Sequence, residues 1–326
     1  MNLLVTGGAG YIGSVMAAEL LKAGHQVCVY DNLSHGWRGA LPQGAELVVG
    51  DIADRTALDQ LFHAYSFDAV LHFAALIEAR ESMVVPEAYF RNNTAGTLTL
   101  LEAMLLYDVK KFVFSSTAAV YGDAQRTPIE ESDRLRPTNA YGESKLLVER
   151  MLEWLHRTHG LCYASLRYFN AAGAAGGLGE GHRPESHLIP RILQVALGTQ
   201  PHISIYGTDY PTPDGTCIRD YIHVSDLVAA HLLALDALDQ HEQLVYNLGN
   251  GQGFSVRQVI EAARRVTGQP IPAVESARLP GDPAILVASS ERIRRELGWQ
   301  PLHAELETII ASAWDWHRRH PDGYAE

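Results

Sequence analysis

The apolar positions of this chain fall in short unbroken blocks. Leu3-Leu4-Val5, Val27-Cys28-Val29-Tyr30, Leu47-Val48-Val49, Ala69-Val70-Leu71 and Phe112-Val113-Phe114 are each nearly free of polar interruption. Blocks of this kind suit strands of a parallel sheet buried on both faces, where an alternating pattern would mark a sheet with one wet face. They predict strands over 3–6, 26–30, 46–51, 69–75 and 112–117, with a sixth over 166–170. The stretches between them read as helices: 14–20, about 55–64, 89–107 and, after Pro137-Thr138-Asn139, 141–159. Strand and helix in turn at these spacings predict an α/β fold, a doubly wound parallel sheet (Rossmann), with ligands at the strand C-termini.

The pattern changes beyond residue 170. Residues 171–181 are rich in Gly and Ala and read as a flexible connection, and the remainder of the chain mixes helices with loops of Pro, Gly and Asp. The expected division is residues 1–170 for a dinucleotide-binding domain and 171–326 for a second, smaller α/β substrate domain capping the sheet edge. Tyr246-Asn247-Leu248-Gly249 is a candidate strand returning to the first sheet.

Composition narrows the function classes. With 26 Lys and Arg against 38 Asp and Glu, the formal net charge is −12, which argues against nucleic acid and anionic membranes as partners. No apolar run is long enough to span a bilayer, and Met1-Asn2 opens directly into the first strand, so a cytoplasmic location is expected. Cys28, Cys162 and Cys217 lie far apart and read as free thiols. His156-x-x-His159 and His317-x-x-His320 have no nearby carboxylate or cysteine in their pattern, so no metal is expected.

Two stretches carry chemistry. Thr6-Gly7-Gly8-Ala9-Gly10-Tyr11-Ile12-Gly13 joins the first strand to the first helix. Glycines there let the chain turn sharply and let a pyrophosphate approach backbone N–H groups at the positive end of the helix dipole. Gly8, Gly10 and Gly13 fit G-x-G-x-x-G, and Gly7, Gly10 and Gly13 fit G-x-x-G-x-x-G; both assignments stand. The second strand ends on Asp31, where an acid holds an adenosine ribose and repels a 2′-phosphate, favouring NAD over NADP. In Tyr141-Gly142-Glu143-Ser144-Lys145 the phenol and ammonium lie four apart on one helix face. At about 5 Å and an effective dielectric of about 20 their attraction is about 3 kcal/mol, or about two pKa units toward phenolate. Oxidised nicotinamide adds a further positive charge, so Tyr141 is the candidate general base.

These motifs, with Ser115-Ser116-Thr117 ending the intervening strand, resemble the extended short-chain dehydrogenase/reductase superfamily along the whole chain. Within it the sequence resembles the UDP-glucose 4-epimerase family. The residues carrying that likeness include Asp31-Asn32-Leu33-Ser34, Gly50-Asp51-Ile52, His72-Phe73-Ala74-Ala75, Glu81-Ser82 and Arg167-Tyr168-Phe169-Asn170. The most specific are Tyr206-Gly207-Thr208-Asp209-Tyr210-Pro211-Thr212-Pro213-Asp214-Gly215-Thr216 and Arg219-Asp220-Tyr221-Ile222-His223-Val224. The resemblance implies an NAD pocket formed by Gly7, Gly10, Tyr11, Ile12, Gly13, Asp31, Asn32, Leu33, Ser34, Gly36, Asp51, Ile52, Phe73, Ala74, Ala75, Asn92 and Phe169. It implies that Tyr168, Asn170, His187, Leu188, Tyr206, Arg219, Arg278 and Asp282 hold a UDP-sugar. Tyr141, Lys145 and Thr117 would be catalytic, with C4′ of the sugar transiently oxidised to a ketone and reduced from the other face. A homodimer through helices 89–107 and 141–159 is also implied.

Departures from the family pattern bear on substrate. His187 stands where many members have Asn, Leu279 where many have Arg, and Ile77 where some have Lys. Leu286 occupies the position tied to N-acetylated sugars and is intermediate in size. UDP-N-acetylhexosamine or UDP-pentose 4-epimerisation therefore remains an alternative, as does, in another class, a catalytically silent NAD-binding regulator. Dehydratases of the superfamily carry Asp-Glu after the threonine; this chain has Ala118-Ala119, and alanine cannot serve the elimination.

Overall fold

The computed structural model describes residues 1–278 and 282–325. Its strands are β1 (Asn2–Thr6), β2 (Gln26–Asp31), β3 (Glu46–Val49), β4 (Ala69–His72), β5 (Lys111–Thr117), β6 (Cys162–Tyr168), β7 (Asn170–Ala172), β8 (Ile203–Tyr206), β9 (Ile218–His223), β10 (Gln243–Leu248), β11 (Gly253–Ser255), β12 (Ala273–Ser276) and β13 (Ile285–Leu286). Seven of them form one sheet in the order β10-β6-β5-β4-β1-β2-β3, every neighbouring pair parallel. The order reverses between β1 and β4, which opens a crevice at their C-terminal ends.

The helices are α1 (Tyr11–Lys22), α2 (Arg55–Ala64), α3 (Pro86–Tyr89), α4 (Thr97–Leu106), α5 (Ala140–His159), α6 (Leu188–Ala196), α7 (Val224–Ala237), α8 (Val256–Thr267), α9 (Glu291–Leu297) and α10 (Leu306–Arg319). Strand β1 shows why the apolar blocks do not alternate. Leu3 and Val5 enter the core with residues of α1 and α7, Leu4 enters the opposite core with residues of α2 and α4, and all three are fully buried. A second, smaller layer is built from β7, β9, β11 and β13, with β8 and β12 paired separately. Its core lies among α6, α8 and α10. Strand β10 forms one edge of the large sheet and α7 packs on α1, so that sheet draws strands from both sides of residue 170.

Several boundaries differ from the sequence reading. The strand expected over 69–75 stops at His72: Phe73 N still donates to Thr6 O (2.8 Å), after which the chain leaves the sheet and Leu76 N donates to the Asn93 side chain (2.8 Å). The strand expected over 166–170 begins at Cys162, and Asn170 already belongs to the second sheet, paired with Tyr221. The helix expected over 89–107 starts at Pro86 and carries a π-helical segment, Phe90–Gly96. That wider turn contains Asn92 and Asn93, and such segments recur at functional sites. The 171–181 stretch is a packed segment. Tyr11 Oη donates to Gly173 O (2.6 Å), Trp37 Nε1 to Gly181 O (2.8 Å) and Trp316 Nε1 to Gly177 O (3.1 Å). Small residues there serve close approach of aromatic rings: a Cβ on Gly179 would lie 2.5 Å from the Trp316 ring.

Helix α5 is fixed to the C-terminal ends of β5 and β6 by a buried ion pair. Arg167 Nη2 and Nε meet the Glu149 carboxylate at 2.5 and 2.9 Å, and Ser116 Oγ donates to it at 2.6 Å. Removing one partner strands the other charge without water, which costs about 3–5 kcal/mol. Glu149→Ala should therefore lower unfolding free energy by that amount in urea melts, whereas exposed Glu153→Ala should change it by less than about 1 kcal/mol.

Candidate active site

The crevice begins at the turn between β1 and α1. Gly10 sits at the N-cap of α1 with no side chain bonded there, and the first turn carries no acidic residue, so its N–H groups face the crevice unopposed. Backbone packs on backbone around this turn. A Cβ on Gly7 (φ +72°) would lie 2.4 Å from Ala74 N, and one on Gly13 would lie 2.3 Å from Gly7 O. Asp31, at the end of β2, closes the turn: its carboxylate accepts from Ala9 N (3.0 Å) and Leu33 N (2.8 Å). Burial raises its pKa, and those two N–H groups oppose the rise. Asn32 Nδ2 in turn donates to Asp51 (2.9 Å).

The crevice is a cleft of about 420 Å³. It gathers Gly7, Gly10, Tyr11, Ile12, Gly13, Asp31, Asn32, Ser34, Gly36, Ile52, Phe73, Ala74, Ala75, Asn92 and Phe169 of the expected cofactor residues; Leu33 and Asp51 stand beside it without lining it. Thr117, Tyr141, Lys145, Tyr168, Asn170 and His187 line the same cleft. An uncapped helix N-terminus, an acid at the end of β2 and a long apolar-floored cleft fit a dinucleotide.

Tyr141 and Lys145 lie one turn apart on α5, with Asn139 as N-cap accepting from Gly142 N (2.8 Å). Lys145 is 2% exposed; its Nζ donates to Ser115 O (2.9 Å) and lies 5.0 Å over the Phe114 ring. Burial alone pulls Lys145 down to about 7. Tyr141 is pushed up to about 12, by burial first, with Glu78 adding and its hydrogen-bonding neighbour Thr117 opposing. The expected shift toward phenolate belongs to the site with oxidised nicotinamide in place; without that charge, burial keeps Tyr141 protonated. Desolvation disfavours the charged form of each group, the phenolate and the ammonium alike.

Four expected substrate residues, Tyr206, Arg219, Arg278 and Asp282, lie outside the cleft lining in the second layer, and so does Leu188 at the start of α6. The first four already have partners. Arg219 pairs with Asp282, Arg278 Nε meets Asp209 at 2.6 Å and stacks 4.0 Å over Tyr210, and Arg80 stacks 4.9 Å over Tyr206. Leu286 pairs with Arg219 across β13 and β9 and packs near Phe169 and Val120. Leu279 lies outside the described residues.

Sequence reasoning gave no site role to Glu78, Glu81, Glu180, His182 or Arg183, which lie in the cleft wall. His187 lines the cleft and also has Nδ1 against Glu180 (2.8 Å) and Glu185 (3.1 Å). Burial opposes charge on Glu180, yet His187 and His182 outweigh it and hold the carboxyl well below its usual range. The signal was the spacing Glu180-x-His182-x-x-Glu185-x-His187, which is less regular than the two helical H-x-x-H pairs.

The NAD dependent epimerase/dehydratase family matches residues 3–249. The chain belongs to this family. A family relative, the UDP-glucose 4-epimerase of Halalkalibacterium halodurans, is 54% identical over 328 residues, covering 100% of this chain and 98% of its own. A crystal structure of a UDP-glucose 4-epimerase superposes with a TM-score of 0.97 at 49% identity, covering 100% of both chains. The Bifidobacterium longum UDP-glucose 4-epimerase, solved in complex with NAD+ and UDP, superposes with a TM-score of 0.95 at 38% identity, covering 99% of this chain and 100% of that one.

Gly13→Ala should force the turn apart and lower NAD affinity by about 10- to 100-fold, the equivalent of an overpacked core site. A fluorescence titration with NAD checks this; affinity within twofold of the parent would show that the turn does not set the site.

Proposed function

We propose that this chain is a UDP-glucose 4-epimerase that interconverts UDP-galactose and UDP-glucose with bound NAD. The observation that carries the reading is a single cleft holding the glycine turn, Asp31, Thr117, Tyr141 and Lys145, followed by Ala118-Ala119 where an elimination would need an acid. The relatives named UDP-glucose 4-epimerase, at 54% and 49% identity over the full chain, support it.

The first-turn N–H groups of α1 would hold the pyrophosphate of NAD, and Asp31 the adenosine ribose. Phe73, Ala74, Ala75, Asn92 and Phe169 would flank the rest. When bound, oxidised NAD supplies a hydride acceptor and donor for C4′. Tyr141 removes the proton of the 4′-hydroxyl and returns it after the sugar has presented its other face, and Thr117 shares that hydrogen bond. Because burial holds Tyr141 up at about 12 here, the positive charge favouring phenolate has to come from the oxidised cofactor and from Lys145 when protonated. Tyr206 would stack on uracil, Arg219 would pair with diphosphate, and Tyr168, Asn170, Leu188, His187, Arg278 and Asp282 would complete the substrate side.

The test is product analysis of the purified protein given UDP-galactose with no NAD added. UDP-glucose is expected, because the reaction consumes no cofactor. Tyr141→Phe should lower kcat by at least about 100-fold while NAD stays bound; turnover near the parent rate would reject the mechanism. Parallel UDP-N-acetylgalactosamine and UDP-arabinose reactions rank the alternatives.

We also propose a homodimer. Leu98 and Leu106 on α4 and Trp154 on α5 are 38%, 63% and 63% exposed, beside a groove lined by Leu147, Met151 and Leu155. Exposed apolar side chains clustered on two adjacent helices favour a second copy. Light scattering should give twice the chain mass for the parent and a monomer for a Leu98→Glu, Trp154→Glu variant. No described helix is long and apolar enough to cross a membrane, and a cytoplasmic setting accords with three free cysteines.

A further inference from the structure

We propose that Glu180, His182, Glu185 and His187 form a closed four-ligand site for a first-row divalent transition ion of the Zn2+ class at the lip of the cleft. The four residues fall within eight positions, between β7 and α6, and offer one ligand atom each, all within 4.8 Å of one another. His187 Nδ1 lies 2.8 Å from Glu180 Oε1 and 3.1 Å from Glu185 Oε1. His182 Nδ1 lies 3.1 Å from Glu180 Oε1 and 3.9 Å from Glu185 Oε2. Tetrahedral Zn2+ with nitrogen and oxygen ligands at about 2.0–2.2 Å places neighbouring ligand atoms about 3.3–3.6 Å apart. The observed separations straddle that value, so small side-chain shifts would admit the ion.

Charge gives an independent reason. The side chains of Glu180 and Glu185 are only 6% and 4% exposed, and buried carboxylates are paired with cations or bind metals. Arg183, the one arginine within the segment, is engaged elsewhere, stacked 4.7 Å over Trp37 and bonded to Asp322 O. Neutralising two carboxylates then falls to the two imidazoles as cations, or to neutral imidazoles and one divalent ion; both sums are zero. A set of two imidazoles and two carboxylates suits Zn2+ and its first-row neighbours and is poor for Ca2+ and Mg2+, which take oxygen ligands.

The role is structural. All four positions are filled by protein, which leaves none for substrate. Ser186, between two of the ligands, donates Oγ to the Glu78 carboxylate at 2.7 Å, and Glu78 lines the cleft. The ion would lock residues 180–187 as one wall of the cleft and hold that clasp in place.

The full chain, stripped with a chelator and titrated with Co2+, should bind one equivalent and develop the visible bands of tetrahedral cobalt. Zn2+ at one equivalent should abolish them and millimolar Ca2+ should not. His182→Ala and Glu185→Gln should each weaken Zn2+ binding by at least about 100-fold, beyond the 10–100-fold typical of outer-shell changes. The proposal is overturned by binding below half an equivalent, by the weak bands of octahedral cobalt alone, by displacement with Ca2+, or by a folded variant binding Zn2+ within twofold of the parent. Where a variant does not fold, the cobalt titration of the parent decides alone.

Discussion

The site depends on backbone meeting backbone at the β1–α1 turn. Gly7 and Gly13 leave no room for a Cβ, since Ala74 N and Gly7 O occupy that space at 2.4 and 2.3 Å. This contact sets how far α1 begins from the ends of β1 and β4. It also leaves the N–H groups of the first helical turn facing the cleft with no side chain in the way. Asp31 reinforces the same turn through Ala9 N and Leu33 N, so the acid that favours a free ribose also holds the loop. Strands β1 and β4, whose core residues are buried on both faces, support this arrangement.

Burial governs the chemistry placed on that frame. Lys145 is almost fully enclosed between Ser115 O and the Phe114 ring, and a lone ammonium there is costly. The same enclosure holds His72 neutral, bonded to Thr6 and Thr97, with its pKa down to about 3, by burial first and Lys145 second. A helix-face argument counts only the attraction between Tyr141 and Lys145. The fold adds the desolvation of each, which opposes the charged forms. A base of this kind is quiet until a positive charge enters the cleft, which suits a site that should remove a proton only when its oxidised cofactor is in place.

Much of this was legible in the sequence because it rests on local patterns. The apolar blocks, the glycine turn and the Tyr141–Lys145 spacing each reflect backbone geometry over a few residues. What was not legible depends on contacts far apart in the chain. Nothing near Phe73 tells that β4 ends there; the cause is Asn93 drawing Leu76 away, from a π-helical turn. Nothing in the Gly- and Ala-rich 171–181 stretch reveals Trp37, Trp316 and Tyr324 packing on it. His187 stood out as a departure from the family pattern, and its contact with Glu180, seven residues earlier, needs the fold to bring the two together.

The second layer shows a different economy of charge. Arg219 is already paired with Asp282, and Arg278 with Asp209. On the proposed function, a diphosphate reaching Arg219 competes with a carboxylate already in place, so the net gain is the difference of two charge-assisted contacts. That difference can still be favourable, since a diphosphate carries more charge than one carboxylate. It also means that the arginine is held in position before substrate arrives, and little side-chain entropy is left to lose on binding. A 4-epimerase has to grip the nucleotide while its sugar turns over. Pre-paired, pre-ordered arginines on one layer, and a cleft floored with alanine and glycine on the other, divide those two demands between separate parts of the chain.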